Sequence, residues 1–442
     1  MRGSAATERN RERKFSRMTG PLDGVRVIEF TEIIAGPVSG VMLSDMGADV
    51  IKVEPPWGDP WRDGGGPFAE HESRAFIAVN RGKRSIQLDL TKGDGRAAAH
   101  RLVENADIVV TNHRPDVPAK LGIDYDTLSA INPRIIYAEA SAYGLKGPYA
   151  GGPGYDVLAQ AFSGIMQSEG IMWRGVPRMI RTTPFVDFAT GYAIVQSVCA
   201  ALYHREKSGR GQKIGTSLLA NAMTTLSGHL ARIPGNPTKP QQWHDEDLPM
   251  LQQAGLSYNE LNELYYEARW FPSAMLIYYR PYRTEDGLIA VACLSDPLRK
   301  RMADCVGFED RRFQPGYDLE EPESVEFADD LLVRVEELIA EKTSEDWLRL
   351  FHEAGVPAMP VQFVEGLLDN EQAQANDLVI EQDHHAAGKM QLVGPNANFS
   401  DTPLDAVLPS PALGQHTAEI LAEAGYSGDE ITALLESGAA LG

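Results

Sequence analysis

"VRVIEFTEIIAGPVSGVMLSDMGADVIKVE", residues 25–54, decides the fold. Val25–Phe30 is a short run rich in β-branched residues. Pro37 opens a helix-like segment that closes at Gly47, and "ADVIKVE" returns as a second strand. Two strands joined by one helix form a βαβ unit, whose strands run parallel. The alternation continues through "RSIQLDL" (84–90), the Ala-rich "GDGRAAAHRLVENA" (93–106), "DIVVTN" (107–112) and "RIIYAEA" (134–140). The first third therefore reads as doubly wound α/β, a largely parallel sheet covered by helices.

Ligands of such sheets sit beyond the carboxyl ends of the strands, here the loops after Phe30, Glu54, Leu90 and Asn112. No GxGxxG or P-loop occurs there, which argues against a dinucleotide dehydrogenase or an NTPase; Glu54 alone occupies the place of a ribose-binding acid. Farther on, "FATGYAIVQSVCAALYHREK" (188–207) is apolar on nearly all sides and stops at Gly209, as a buried helix would. The Pro-, Gln- and Asp-rich "PTKPQQWHDEDLP" (237–249) marks a boundary. Beyond it, "AMLIYYRPYR", "GLIAVACL" and "DPLRKRMADCVG" suggest a smaller α+β domain.

Of 442 residues, 62 are acidic and 41 basic, a formal charge of -21 that disfavours nucleic acid or anionic lipid as partners. No apolar run is expected to reach the ~20 residues that span a bilayer. Three scattered cysteines fit a reducing, cytoplasmic compartment. The mixed-charge residues 1–20 read as a disordered tail. The ten histidines show no HxxxH or HxH pair, and His384-His385 has no evident partner, so no metal is expected. Against the acidic average, Lys52 and Arg62, then Arg81, Lys83 and Arg84, then His113, Arg114 and Lys120 form basic clusters suited to a phosphorylated ligand.

Asp187, in "TTPFVDFATGYA" (182–193), stands at the head of the long apolar helix. Aspartate there is first of all a helix cap. It is also a carboxylate in a poorly hydrated place, which can act as a nucleophile, and the helix end favours its charged form. "GGPGYDVLAQAFSGIM" (151–166) is a glycine-rich loop that allows close backbone approach to a ligand before a helix begins near Asp156.

These stretches, with "NRGKRSIQLDL", "PFVDFATG" and "LGQHTAEILAEAGYS", resemble the class III coenzyme A transferases, the group of formyl-CoA transferase, carnitine and bile-acid CoA-transferases and α-methylacyl-CoA racemase. The resemblance runs from about Pro21 to the C-terminus. It implies a Rossmann-like large domain formed by both chain ends, an inserted smaller α+β domain and an interlocked homodimer. The boundaries expected are 21–230 for the first part of the large domain, 231–340 for the small domain and 341–442 for the return. Asp187 would be the catalytic nucleophile.

The resemblance implies CoA contacts at Ile34 and Ala35, the turn from Pro55, Leu88, Asp89, Leu90 and Thr91, Asn112, His113 and Arg114, Lys120, and Pro153, Gly154, Tyr155 and Asp156. It also implies acyl-CoA and a carboxylic acid as substrates, with no permanently bound cofactor. Oxyanion donors would come from the backbone of Ile33–Gly36. Ile34 replaces a glutamine of formyl-CoA transferase, and "RWFPSAML" lacks that enzyme's polyglycine loop, which argues against formate and oxalate. Trp270, Phe271 and Tyr278 suggest a bulkier acyl group or core packing. The alternatives are an acyl-CoA racemase or isomerase using Asp156 and Asp187 for α-proton transfer, and a non-catalytic CoA-binding protein.

Overall fold

Five apolar runs of the first 141 residues form strands: β1 (Arg26–Phe30), β2 (Asp49–Glu54), β3 (Arg84–Leu88), β4 (Ile108–Thr111) and β5 (Ile136–Ser141). The computed structural model describes residues 20–268, 276–313, 317, 322–406 and 408–442. The tail 1–19, Trp270 and Phe271 lie outside the described residues. Two short strands, β6 (Met172–Trp173) and β7 (Val176–Pro177), pair as a hairpin, and β8 (Gln212–Ser217) rejoins the main sheet. The later strands are β9 (Tyr279–Arg283), β10 (Leu288–Ala292), β11 (Ala358–Pro360), β12 (Val379–His384), β13 (Gly388–Val393) and β14 (Ala440–Leu441).

The main sheet has seven strands in the order β14-β3-β2-β1-β4-β5-β8, all pairs parallel except β14 with β3. Its order reverses between β1 and β4. Alternate residues of the same strands feed two cores: Ile28, Ile51, Ile86 and Val109 on one face, Val27, Val50, Ile108 and Ile136 on the other. Burial on both faces is why these strands read as nearly continuous apolar runs rather than alternating ones.

The helix Phe185–Ser208 is long and apolar enough to cross a membrane by length and composition, contrary to the expectation that no run is. Its Ile194, Val195, Val198 and Ala201 instead pack on the second face of the sheet. Gly191 lets the helix Ala35–Asp45 approach it, because a Cβ there would meet Val38 at 2.8 Å and the carbonyl oxygen of Ala35 at 3.1 Å.

The chain divides into two units, one made of the chain up to Ala231 with Glu371–Gly442, the other of Arg232–Asn370. The return to the first unit thus begins at Glu371 rather than 341. The reason is pairing: β11 lies antiparallel to β10, and Trp347 and Phe351 of the helix Ser344–Ala354 belong to the second unit's core. In that unit Tyr278 is 1% exposed and donates its hydroxyl to Asp310 at 2.7 Å, so it is a core residue.

Candidate active site

A cleft of about 450 Å³ opens at the carboxyl ends of the strands, where β1 and β4 diverge. This is the crevice at which doubly wound sheets bind ligands. The loop after β1 supplies Ile34 and Ala35, β2 leads to Pro55, and β3 leads through Leu88 to Asp89, Leu90 and Thr91. The loop after β4 adds Asn112, His113 and Arg114; the glycine-rich loop adds Pro153, Gly154 and Tyr155; the long helix adds Asp187.

Lys120 and Asp156 do not line this cleft. Lys120 is exposed and its ammonium lies 2.6 Å from Asp116, one helical turn back, so local spacing claims its charge. Asp89 is drawn into a turn, accepting from the hydroxyl and backbone N-H of Thr91, which hold its carboxyl below the usual range. Burial, then the charge of Lys52, pushes His113 down to about 4, so it is neutral at physiological pH. Of the basic trio Arg114 is the charged residue that lines the cleft, its guanidinium lying 3.4 Å from the same Asp116.

The other basic clusters do not serve an anion site. Lys52, Arg62 and Lys83 are at most 1% exposed and sit among buried acids. Arg62 grips Glu54 with two hydrogen bonds of 2.7 Å, which removes Glu54 as a ribose acceptor. Lys83 donates to Glu29 at 3.0 Å, while Lys52 lies 2.9 Å from Asp59 and 3.4 Å from Glu29. Arg81 pairs with Asp45, and Arg84 with Asp49 and Glu423. Gly40 is part of this packing, since a Cβ there would overlap the Glu29 carboxylate.

Four consecutive backbone groups of the loop after β1 are held by side chains. Lys52 donates to the carbonyl of Thr31 at 2.8 Å, and Asn112 pairs with both the N-H and the C=O of Glu32 at 2.9 and 2.8 Å. The N-H of Ile33 donates to Asp59 at 3.2 Å. Ile33 has φ of 70°, a left-handed conformation that a β-branched residue rarely adopts. Asp59 also accepts from Trp61 N-H at 2.8 Å, capping the short helix Pro60–Arg62. Sequence reading missed Asp59, although Asp before Pro is a recognisable cap signal.

Asp187 is the third residue of its helix and not its cap. The cap comes from Asp156, whose carboxylate accepts the N-H groups of Val186 at 2.9 Å and Asp187 at 3.3 Å and is itself held by Gln160. Gln160 in turn accepts from Ile180 N-H at 2.9 Å. The Asp187 carboxylate is 9% exposed and has no hydrogen-bond partner among the described residues. Burial, and then the charge of Asp156, raises it to about 7. The helix end therefore does not keep this carboxyl fully charged, because desolvation outweighs the dipole.

The expectation that His384-His385 has no partner also fails. Glu72 lies beside them, with ligand atoms of all three within 4.8 Å of one another and His385 Nε2 2.8 Å from Glu72. The Nδ1 of His384 accepts the N-H groups of Ala386 and Ala387, which leaves its proton on Nε2, the atom 3.1 Å from the Ser410 hydroxyl and 3.6 Å from Glu72. A ring in that tautomer is a hydrogen-bond donor there and not a metal ligand.

Comparison with known proteins is consistent over nearly the whole chain. The family model for CoA-transferase family III matches residues 22–417. A succinate–glutarate CoA-transferase of Agrobacterium fabrum is 33% identical over 420 residues, covering 91% of this chain and 95% of that protein. An acyl-CoA transferase of Fusarium pseudograminearum is 30% identical over 437 residues, covering 95% and 88%. The crystal structure of a CAIB/BAIF family protein from Brucella suis superposes with a TM-score of 0.70 at 30% identity, covering 92% of this chain and all of that one. With its central parallel sheet and the cleft at the sheet's point of reversal, the chain belongs to CoA-transferase family III and is a CoA-transferase.

Proposed function

We propose that Asp187 carries coenzyme A between an acyl-CoA and a carboxylic acid through covalent intermediates. Its carboxylate attacks the thioester carbonyl, giving an acyl-aspartyl anhydride and CoA thiolate. The thiolate then attacks the aspartyl carbonyl, releasing the donor acid and leaving an aspartyl-CoA thioester. The acceptor carboxylate attacks that thioester, and the returning thiolate takes the new acyl group and frees Asp187.

The observation that carries this reading is the unbonded Asp187 carboxylate in the cleft. Raised basicity makes it a better nucleophile, and acylation removes a charge that burial and Asp156 disfavour. The tetrahedral stages need N-H donors. Ile33 is excluded, its N-H being taken by Asp59, whereas the N-H groups of Ile34, Ala35 and Gly36 have no acceptor among the described residues. The racemase alternative loses its second acid, since Asp156 is spent on capping.

The reading includes a homodimer, supported by the exposed rings of Tyr149 and Phe162, which touch at 5.2 Å between centroids rather than standing singly. It places the enzyme in the cytoplasm, in keeping with three unpaired cysteines. CoA binds as substrate along the cleft, and succinate and glutarate, the acids named for the Agrobacterium relative, are the first to offer.

The test is to incubate the protein with acetyl-, succinyl-, glutaryl- and benzoyl-CoA, trap with hydroxylamine or borohydride, and read peptide masses. The adduct is expected on the peptide containing Asp187; turnover with the adduct elsewhere would refute the assignment. Because only the ionised carboxyl attacks, kcat/KM should rise tenfold per pH unit at acid pH and level off above about 7. A flat profile from pH 5 to 8 is the contrary result.

A further inference from the structure

The N-terminus of the helix Ala35–Asp45 lies against the first turn of the helix that bears Asp187. Ala35 shares a hydrophobic cluster with Phe185 and Val186, and Ile33 and Ile34 share one with Phe188, so both neighbours of Asp187 belong to clusters that include this loop. Ile34 and Ala35 line the same cleft as Asp187, and the helix starts without a side-chain cap. What sets the direction of these free N-H groups is the residue before them, Ile33, in its left-handed conformation.

That conformation is strained for isoleucine and persists only where the surroundings impose it. The surroundings here are specific. Asp59, 1% exposed, accepts the Ile33 N-H with both oxygens at 3.2 and 3.3 Å, and Lys52, fully buried, clamps Asp59 at 2.9 Å while holding the carbonyl of Thr31. The loop is gripped on both sides of its bend. We infer that Asp59, clamped by Lys52, is a positioning residue for the transferase reaction: by holding the Ile33 N-H it turns the free N-H groups of Ile34 and Ala35 toward the acyl carbonyl at Asp187. The inference rests on the Asp187 reading above. Asp59 touches no reacting atom in this scheme; it acts through the Ile33 backbone.

A purely structural Asp59 and a positioning one differ in what glycine at position 33 does, because glycine adopts positive φ without being forced. The experiment uses the thioester that labels the wild-type protein, with free CoA as the binding probe. Asp59→Ala should slow formation of the Asp187 adduct by about 100-fold, the scale of a lost oxyanion donor, with CoA affinity changed less than about threefold. Adding Ile33→Gly to Asp59→Ala should restore at least about tenfold of that rate, although the cap on Trp61 stays lost. No recovery, or a loss of CoA affinity in proportion to rate, overturns the inference.

Should Asp59→Ala fail to fold, Asp59→Asn keeps an oxygen for the Ile33 N-H. Its adduct rate should stay within about tenfold of wild type, and a loss of about 100-fold or more is the overturning result. A wild-type protein that turns over with no Asp187 adduct overturns the Asp187 reading and this inference with it. A labelled wild type without glycine rescue overturns the inference alone.

Discussion

Asp187→Asn is expected to lower turnover by at least about 10⁴-fold and, above neutral pH, to make the protein more stable. The two effects have one source. Asp187 is raised to about 7 by burial and Asp156, well above the ordinary aspartate value of 3.8. Between these values the folded protein binds more protons than the unfolded chain, so stability is present below pH 3.8 and lost as pH rises through 7. Each tenfold change in a proton-binding equilibrium is worth roughly 1.4 kcal/mol, so the ionised carboxyl costs about 2–4 kcal/mol at pH 8. Asparagine removes that cost, so the stability difference should be near zero at about pH 3 and about 2–4 kcal/mol in favour of the variant at pH 8. Urea unfolding at both pH values, beside an activity assay, measures it. A variant that is inactive but equally destabilised at both would mean the carboxylate is a structural element only.

The second large effect is expected at Arg62. Its guanidinium makes two 2.7 Å bonds to Glu54, donates to the carbonyls of His71 and Pro411, and lies 3.8 Å from the ring centre of Phe76. Burial opposes ionisation of Glu54, yet the hydrogen bonds and charge of Arg62 hold it below the usual carboxylate range. Its contribution is thus present above the unfolded value and lost as pH falls through the folded one. Arg62→Met strands a buried carboxylate and should cost about 3–5 kcal/mol at pH 7 by urea unfolding. Arg62→Met with Glu54→Leu should recover part of it, because paired apolar replacement leaves no orphan charge. A single-variant loss under about 1 kcal/mol would show that water or a proton satisfies Glu54 instead.

The parallel sheet was legible because its strands are buried on both faces and separated by helices, a pattern local to windows of some ten residues. The cleft followed from topology, and the loops after Phe30, Glu54, Leu90 and Asn112 do line it. What local pattern could not reveal is partnership. Lys52, Arg62 and Lys83 looked like ligand-binding charge because no spacing rule shows the turn after β2 folding Asp59 onto Lys52 and Arg62 onto Glu54, or Glu29 reaching Lys83 from 54 positions away. Asp187 looked like the cap of its own helix, and only the packing of two helices shows that Asp156 caps it instead. His385 and Glu72 are 313 positions apart, beyond any spacing rule.

The antiparallel edge of the main sheet bears on the order in which the molecule is made. β3 pairs on one side with β2, and its other side waits for Ala440 and Leu441 of β14. Roughly 350 residues separate the two strands, which at ribosomal speeds of about 5–20 residues per second is about 20–70 s. Throughout that interval the nascent chain presents an unpaired parallel strand flanked by Arg84, whose partners Glu419 and Glu423 also arrive late. An open edge of that kind templates association between growing chains. Slow translation or a shortage of holdase chaperones should therefore penalise the yield of this enzyme far more than its equilibrium stability would suggest.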